Sequence, residues 1–308
     1  MYGTYGILVD FSKVDGEIPY LSSSFVLSTE ILKLSVCCLV LIPDFKAEKL
    51  PTVTFSNSLP FALPAVCYCI NNNLAVFMQT QMDPSTYMVL GNMKIVCTAV
   101  LYKIIMKKSV SVSQWIALIL LTFGGIINSM KALEAKTLSL SEIHLTWLGL
   151  CTLCIYCFIS GFAGVFTEYI LKKNYQLSLF YQNALLYTFG VHFNFLSWIV
   201  QALDKYRTHN TSSHFNIFYG YSIFTWVLII TQAVTGMTMS LIMKQSSNVM
   251  RLFVIATAPL CTTVFSLYLF NLKIHIEFLV SLCCVILAAM LYNHKGKKYE
   301  PGGDEQKA

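Results

Sequence analysis

Five charged residues sit where charge is expensive. Glu30, Lys33, Lys94, Glu168 and Arg251 lie in, or at the edge of, long apolar runs. A charge in hydrocarbon costs about 2.5–3.5 kcal/mol on insertion scales, so each must face water or a partner. Glu30 has Lys33 three residues on, one helical turn away, and the two can serve as a structural or a gating pair. Lys94 stands ten residues inside its run with no carboxylate three or four residues to either side. That favours a functional role for it over a structural one. Glu168 and Lys244 read as further structural or gating charges.

Uncharged polar groups gather around these charges. Tyr68 precedes the run Asn71-Asn72-Asn73, and Tyr87 and Asn92 precede Lys94. Gln182, Asn183 and Tyr187 form a third group. Ser246, Ser247 and Asn248, between Lys244 and Arg251, form a fourth. Cations with amides and tyrosines suit an anion that carries a flat ring. Lys and Arg meet phosphate charge, Asn and Gln read a base edge, and Tyr stacks. The competing role is glue between membrane helices, worth about 0.6 kcal/mol per amide; it is expected for roughly half of these groups and for two asparagines of the triplet.

The elements that position these residues follow from hydropathy. The chain has 308 residues, 56% hydrophobic and 12% charged, and a soluble core of this size could not hide so much apolar surface. Apolar runs broken by charged or Pro/Gly/Asn-rich segments predict full spans at about 22–42, 58–79, 85–106, 111–130, 145–171, 178–201, 219–243, 249–270 and 274–292. Residues 1–11 are apolar but too short to span, and read as a truncated or shortened first helix. With that stub there are ten transmembrane helices in an all-α membrane protein. Residues 1–293 form a single transmembrane domain, and 294–308 a disordered tail.

The cysteines add no chemistry. All eleven lie in apolar stretches, and Cys151, Cys154 and Cys157 lack a nearby His or carboxylate to complete a metal site. No metal or cofactor is expected. The net charge of +6 is spread over loop pairs and not along a stripe, which argues against nucleic acid.

Orientation follows from the basic residues. With the N-terminus in the cytosol, the cytosolic segments hold Lys46, Lys49, Lys103, Lys107, Lys108, Lys172, Lys173, Lys244, Lys295, Lys297, Lys298 and Lys307. The opposite side holds Lys13, Lys131, Lys136, Lys205, Arg207 and Lys273. Twelve against six places both termini in the cytosol. The sequon Asn210-Thr211-Ser212 then falls in a lumenal loop, 202–218, as a glycosylation candidate. A faint internal repeat pairs Cys97-Thr98-Ala99-Val100 with Cys261-Thr262-Thr263-Val264, about half the chain apart. Halves of five spans each would be inverted, the 5+5 architecture of alternating-access carriers.

Several segments carry a family resemblance. Met82-Asp83-Pro84-Ser85-Thr86-Tyr87 through Asn92-Met93-Lys94-Ile95 resembles the fourth-helix motif of the nucleotide-sugar transporters for CMP-sialic acid and UDP-galactose. So do Asn71-Asn72-Asn73-Leu74-Ala75, Ser160-Gly161 through Thr167-Glu168, Gln182-Asn183-Ala184-Leu185-Leu186-Tyr187 and Phe218-Tyr219-Gly220-Tyr221. Within the family, Met82–Tyr87 and Leu186-Tyr187-Thr188-Phe189-Gly190 are most similar to the A4 branch of UDP-sugar transporters, against which the first half of helix one is missing.

The resemblance implies a drug/metabolite-transporter fold in the Golgi membrane. It implies an antiporter that exchanges a cytosolic pyrimidine nucleotide-sugar, with UDP-sugars favoured over CMP- or CDP-linked ones, for lumenal nucleoside monophosphate. It maps the nucleotide contacts onto Tyr68, Asn71, Asn72, Tyr87, Lys94, Asn183 and Arg251, the last replacing a family lysine. Expected partners are the nucleotide-sugar, the monophosphate, the bilayer and, as an option, a second copy of the chain. A membrane glycosyltransferase would need a carboxylate pair or an Asp-x-Asp metal site, and no Asp-x-Asp occurs. The remaining alternatives are a same-fold carrier of another anionic metabolite and a transport-inactive partner protein.

Overall fold

A computed structural model describes residue 12 and residues 18–48, 51, 54–82, 84–134, 147–209, 212–270 and 276–293. These residues are helical almost throughout. In chain order the helices are α1 (Ser22–Lys46), α2 (Phe55–Gln81), α3 (Pro84–Gly91), α4 (Lys94–Met106), α5 (Val112–Glu134), α6 (Trp147–Lys173), α7 (Leu179–His209), α8 (Ile223–Gln245), α9 (Asn248–Phe270) and α10 (Ile276–Asn293). A short 3-10 turn, Ser212–Phe215, follows α7. Eight of the nine full spans expected from hydropathy have a single helix each, and the ninth, 85–106, has two. The stub 1–11 and the tail 294–308 lie outside the described residues, as does Asn210.

Two expectations need correction. The span 85–106 is not one helix: it breaks at Asn92-Met93 into α3 and α4. At the break the Asn92 and Met93 amides donate to Val89 and Leu90, tightening the chain into turns three residues long. Lys94 therefore opens a helix instead of lying within one. The loop expected at 202–218 is also shorter, because α7 runs on to His209. The charged residues Asp204, Lys205 and Arg207 mark the water side without ending the helix, since all three are tolerable helix formers on an exposed face.

Among the described residues, four helical segments are long and apolar enough to cross a bilayer: Ser22–Lys46, Val89–Met106, Trp147–Lys173 and Ile223–Gln245. Helices α2 and α7 are not among them. They carry Asn71, Asn72 and Asn73, and Gln182, Asn183, His192 and Asn194, which dilute their hydropathy. These two least apolar helices contact each other and both help to line the cavity described below.

Hydroxyls are satisfied within their own helices. Thr29, Thr98, Thr122, Thr152, Thr167 and Thr188 each donate to a carbonyl four residues back. In lipid this is the economical way to keep a polar side chain. Helix α8 begins with a reciprocal cap in which Ser222 Oγ accepts from the Thr225 amide and Thr225 Oγ1 accepts from the Ser222 amide. Just before it, Gly220 adopts φ +76 and lies against the Pro19 carbonyl, so a side chain there would be both strained and blocked.

Two apolar cores hold the bundle. One joins α4, α5, α9 and α10 around Ala117, Leu118, Leu121, Phe253 and Val285. The other joins α1, α2, α6 and α7 around Cys37, Phe61, Ala65, Ile170 and Leu186. The most extensive helix contacts are α5 with α10 and α1 with α7; α2 packs on both α6 and α7, and α1 also packs on α8.

Candidate substrate cavity

Where the second core meets α8 and α9, a cavity of about 230 Å³ opens inside the bundle. Helix α1 contributes Glu30 and Lys33, α2 contributes Tyr68 and Asn72, α6 Thr167, α7 Tyr187 and Asn194, α8 Ser240 and α9 Arg251. Glu30 and Lys33 are paired at 2.5 Å, with side chains 16% and 11% exposed. The Lys33 ammonium also stands 4.4 Å from the centre of the Tyr187 ring, a cation–π contact. A smaller cavity of about 210 Å³ adjoins the first and shares Glu30, Lys33, Asn72 and Gly236 with it. The ion pair thus borders both cavities.

Each of three cavity charges rests against a glycine. A Cβ on Gly190 would stand 2.9 Å from Glu30 Oε2, one on Gly236 3.3 Å from Lys33 Cδ, and one on Gly164 2.7 Å from Arg251 Nη2. Close backbone approach through small residues is the usual packing device of membrane helices. Here it seats charged groups.

Arg251 is the cation of this cavity with no ion-pair partner among the described residues. No carboxylate among the described residues pairs with it, and its buried Nε has no acceptor. Asn248, one turn earlier on α9 and fully buried, also has both amide atoms unpartnered. Glu168 is committed elsewhere. One of its oxygens pairs with Lys172 at 2.6 Å, and the other accepts from the Asn248 amide at 2.6 Å, capping α9. Lys172 also donates to the Ser246 carbonyl, and Lys244 to the Leu177 carbonyl at 2.5 Å. These contacts clamp the α8–α9 turn to the ends of α6 and α7.

The structure gathers Tyr68, Asn72, Arg251, Glu30 and Lys33 around one space, and leaves other candidates outside its lining. Tyr87 pairs with Tyr156 at 3.2 Å in a separate cluster with Met78 and Leu153. Lys94 lies within electrostatic reach of Cys157, on α6. Asn183 is 1% exposed and accepts from Ser240 at 2.5 Å, so it ties α7 to α8. Asn71 keeps a buried, unpartnered Oδ1. Asn73 acts as glue: it bonds Ser197 at 3.1 Å and accepts from Gln201 at 2.8 Å, and Gln201 accepts from Ser23 at 2.8 Å. Sequence reasoning placed Tyr187 in the third polar group without assigning it to the site, and missed the glycine seats, Asn194 and Met239.

An apolar helical bundle with polar groups around an internal cavity has the architecture of a multi-pass membrane protein. Residues 1–293 match the family model described as nucleotide-sugar transporter. The chain is 38% identical over 295 residues to "Probable UDP-sugar transporter protein SLC35A4" of Xenopus tropicalis, covering 95% of this chain and 88% of that protein. It is 36% identical to the Homo sapiens protein of the same description, covering 95% and 90%. It is 32% identical to "CMP-sialic acid transporter 1" of Oryza sativa subsp. japonica, covering 93% and 89%. A solved structure described as "Crystal structure of protein" superposes with a TM-score of 0.66 at 8% identity, covering 95% of this chain and 93% of that one, a likeness of fold alone. The chain belongs to the nucleotide-sugar transporter family, a family of transporters and not of enzymes.

Proposed function

We propose that the chain is an antiporter of the Golgi membrane that exchanges a cytosolic pyrimidine nucleotide-sugar, with UDP-sugars preferred, for a lumenal nucleoside monophosphate. One observation carries this reading: Arg251 lines an internal cavity with Tyr68 and Asn72 and has no carboxylate partner among the described residues. A cation so placed calls for an anion. The tyrosine and the amide suit a stacked base with a hydrogen-bonding edge. The relatives are named for a UDP-sugar and for CMP-sialic acid, both of which contain a pyrimidine nucleotide, and this supports the choice of nucleotide.

The mechanism rests on two inverted halves of five helices in a single domain. The contacts α1–α7 and α5–α10 pair helices five spans apart, and α1–α8 has its counterpart in α2–α7, as an inverted repeat would require. Arg251 belongs to the second half and Lys94, at the start of α4, to the first. Bound phosphate would draw Lys94 towards Arg251 and favour closure, whereas an empty chamber would leave like charges opposed. Tyr87, Asn71 and Asn183 enter the site in that closed arrangement. With the N-terminus cytosolic, the Lys46, Lys107 and Lys173 ends of the helices face the cytosol.

Uptake of labelled nucleotide-sugars into proteoliposomes preloaded with UMP or CMP tests the reading. Exchange of a UDP-sugar that requires internal monophosphate is expected. No exchange with any member of a nucleotide-sugar panel, by protein that is folded in the vesicles, would refute it.

A further inference from the structure

A second, larger cavity of about 520 Å³ opens nearer the Lys173 end of the bundle, on three of the helices that line the first. On α2, Phe61 of the outer cavity is one turn from Ala65 of the inner. On α6, Ile170 is one turn from Thr167, and on α7 Leu185 adjoins Leu186. Between the two spaces stands the apolar cluster of Phe61, Ala65, Ile170, Leu186 and Tyr187, with Phe61 2% and Ile170 3% exposed.

The outer cavity repeats the inner one in kind. It holds one cation, Lys173, two amides, Asn57 and Asn174, and the rings of Tyr169 and Tyr181. Lys173 is exposed and has no ion-pair partner among the described residues, while its neighbour Lys172 is committed to Glu168.

We propose that this outer cavity is a loading site for the phosphate-bearing nucleotide, with Lys173 as its cation, shut off from the central cavity by the layer of Phe61, Ile170 and Leu186. The proposal rests on the nucleotide-exchange reading above. A phosphate cannot cross an apolar layer unpaired, so the layer holds cargo outside until the helices part. A lysine is a hydrated point charge on a flexible stem, which suits a site that must release its ligand inward. A phospholipid headgroup carries the same phosphate chemistry, so the test separates the two sources.

The probe is UMP. Ser56→Cys, on the wall of the outer cavity, is labelled with a membrane-impermeant maleimide and quantified by mass spectrometry of its own peptide, apart from the native cysteines. In an Arg251→Ala background UMP is expected to slow this labelling, and Lys173→Gln to abolish the protection. In protein otherwise native, Lys173→Gln is expected to raise the KM for exchange about fivefold with the maximal rate unchanged, an effect that shrinks in high salt. If Arg251→Ala stops exchange while UMP gives no protection, or gives protection that Lys173→Gln leaves intact, the loading site is overturned and the exchange reading survives. If the native protein exchanges no nucleotide, both fall. Protection in nanodiscs containing phosphatidylinositol without UMP, lost in Lys173→Gln, would assign the phosphate to lipid and overturn the nucleotide assignment.

Discussion

The guanidinium of Arg251 occupies the place of the side chain that Gly164 lacks, with Nη2 2.7 Å from where a Cβ would stand. Asn248 is as tightly placed, with both amide atoms 2.8 Å from the same point. Gly164→Ala must therefore push the cation off its seat. We expect nucleotide affinity to fall about tenfold, the equivalent of about 1.4 kcal/mol. Gly91→Ala, which meets nothing within 4 Å, should leave affinity unchanged. UMP titration by intrinsic fluorescence of both purified variants checks this.

Arg251→Ala and Lys94→Ala should separate in kinetics. Arg251 lines the cavity in this structure, so its loss should weaken binding about 100-fold as well as exchange, the effect of removing about 3 kcal/mol of charge pairing. Lys94 lies outside the lining, so its loss should slow exchange more than it weakens binding. Arg251→Lys keeps the charge without the fork and should cost only about fivefold in affinity. Equal, parental rates in both alanine variants, with both folded, would sink the phosphate clamp.

The Glu30–Lys33 pair offers a test of stability. Glu30→Gln strands an ammonium that is 11% exposed, and should destabilise the protein by about 3 kcal/mol. The double variant Glu30→Gln/Lys33→Met should recover most of that loss, since no charge remains to be paired. Thermal unfolding in detergent reads both. A double variant as unstable as the single would show that the pair does not act as a unit.

Orientation is open to direct measurement. The basic-residue balance puts Asn210 in the lumen and Ala308 in the cytosol. A shift in mobility on glycosidase treatment, lost in Asn210→Gln, and a C-terminal tag digested in intact vesicles are the expected results. A protected tag would reverse the topology.

The span positions were legible because hydropathy is a local quantity, read about 20 residues at a time. The Glu30–Lys33 pair and the glue role of an asparagine in the triplet were legible for the same reason, being matters of helical spacing and polarity. The break at Asn92-Met93 was not, since no proline or glycine pair announces it inside 85–106. Nor was the separation of Lys94 and Tyr87 from the lining. Which face of a helix turns inward is decided by its neighbours, and α4 packs against α6. The seats Gly164, Gly190 and Gly236 looked like ordinary small residues of close-packed helices. Only their partners on distant helices give them meaning.

The cap that Glu168 places on α9 bears on turnover. A free helix start offers amides and a partial positive charge to phosphate, and would add its pull to that of Arg251 three residues on. Glu168, fully buried, already takes up the Asn248 amide there. On the proposed reading the Arg251 guanidinium would then hold cargo without help from that amide. A carrier that gripped phosphate with both would fill readily and empty slowly, because passage needs binding weak enough to leave. On the proposed exchange mechanism, a helix end blunted by Glu168 would trade residence time for throughput.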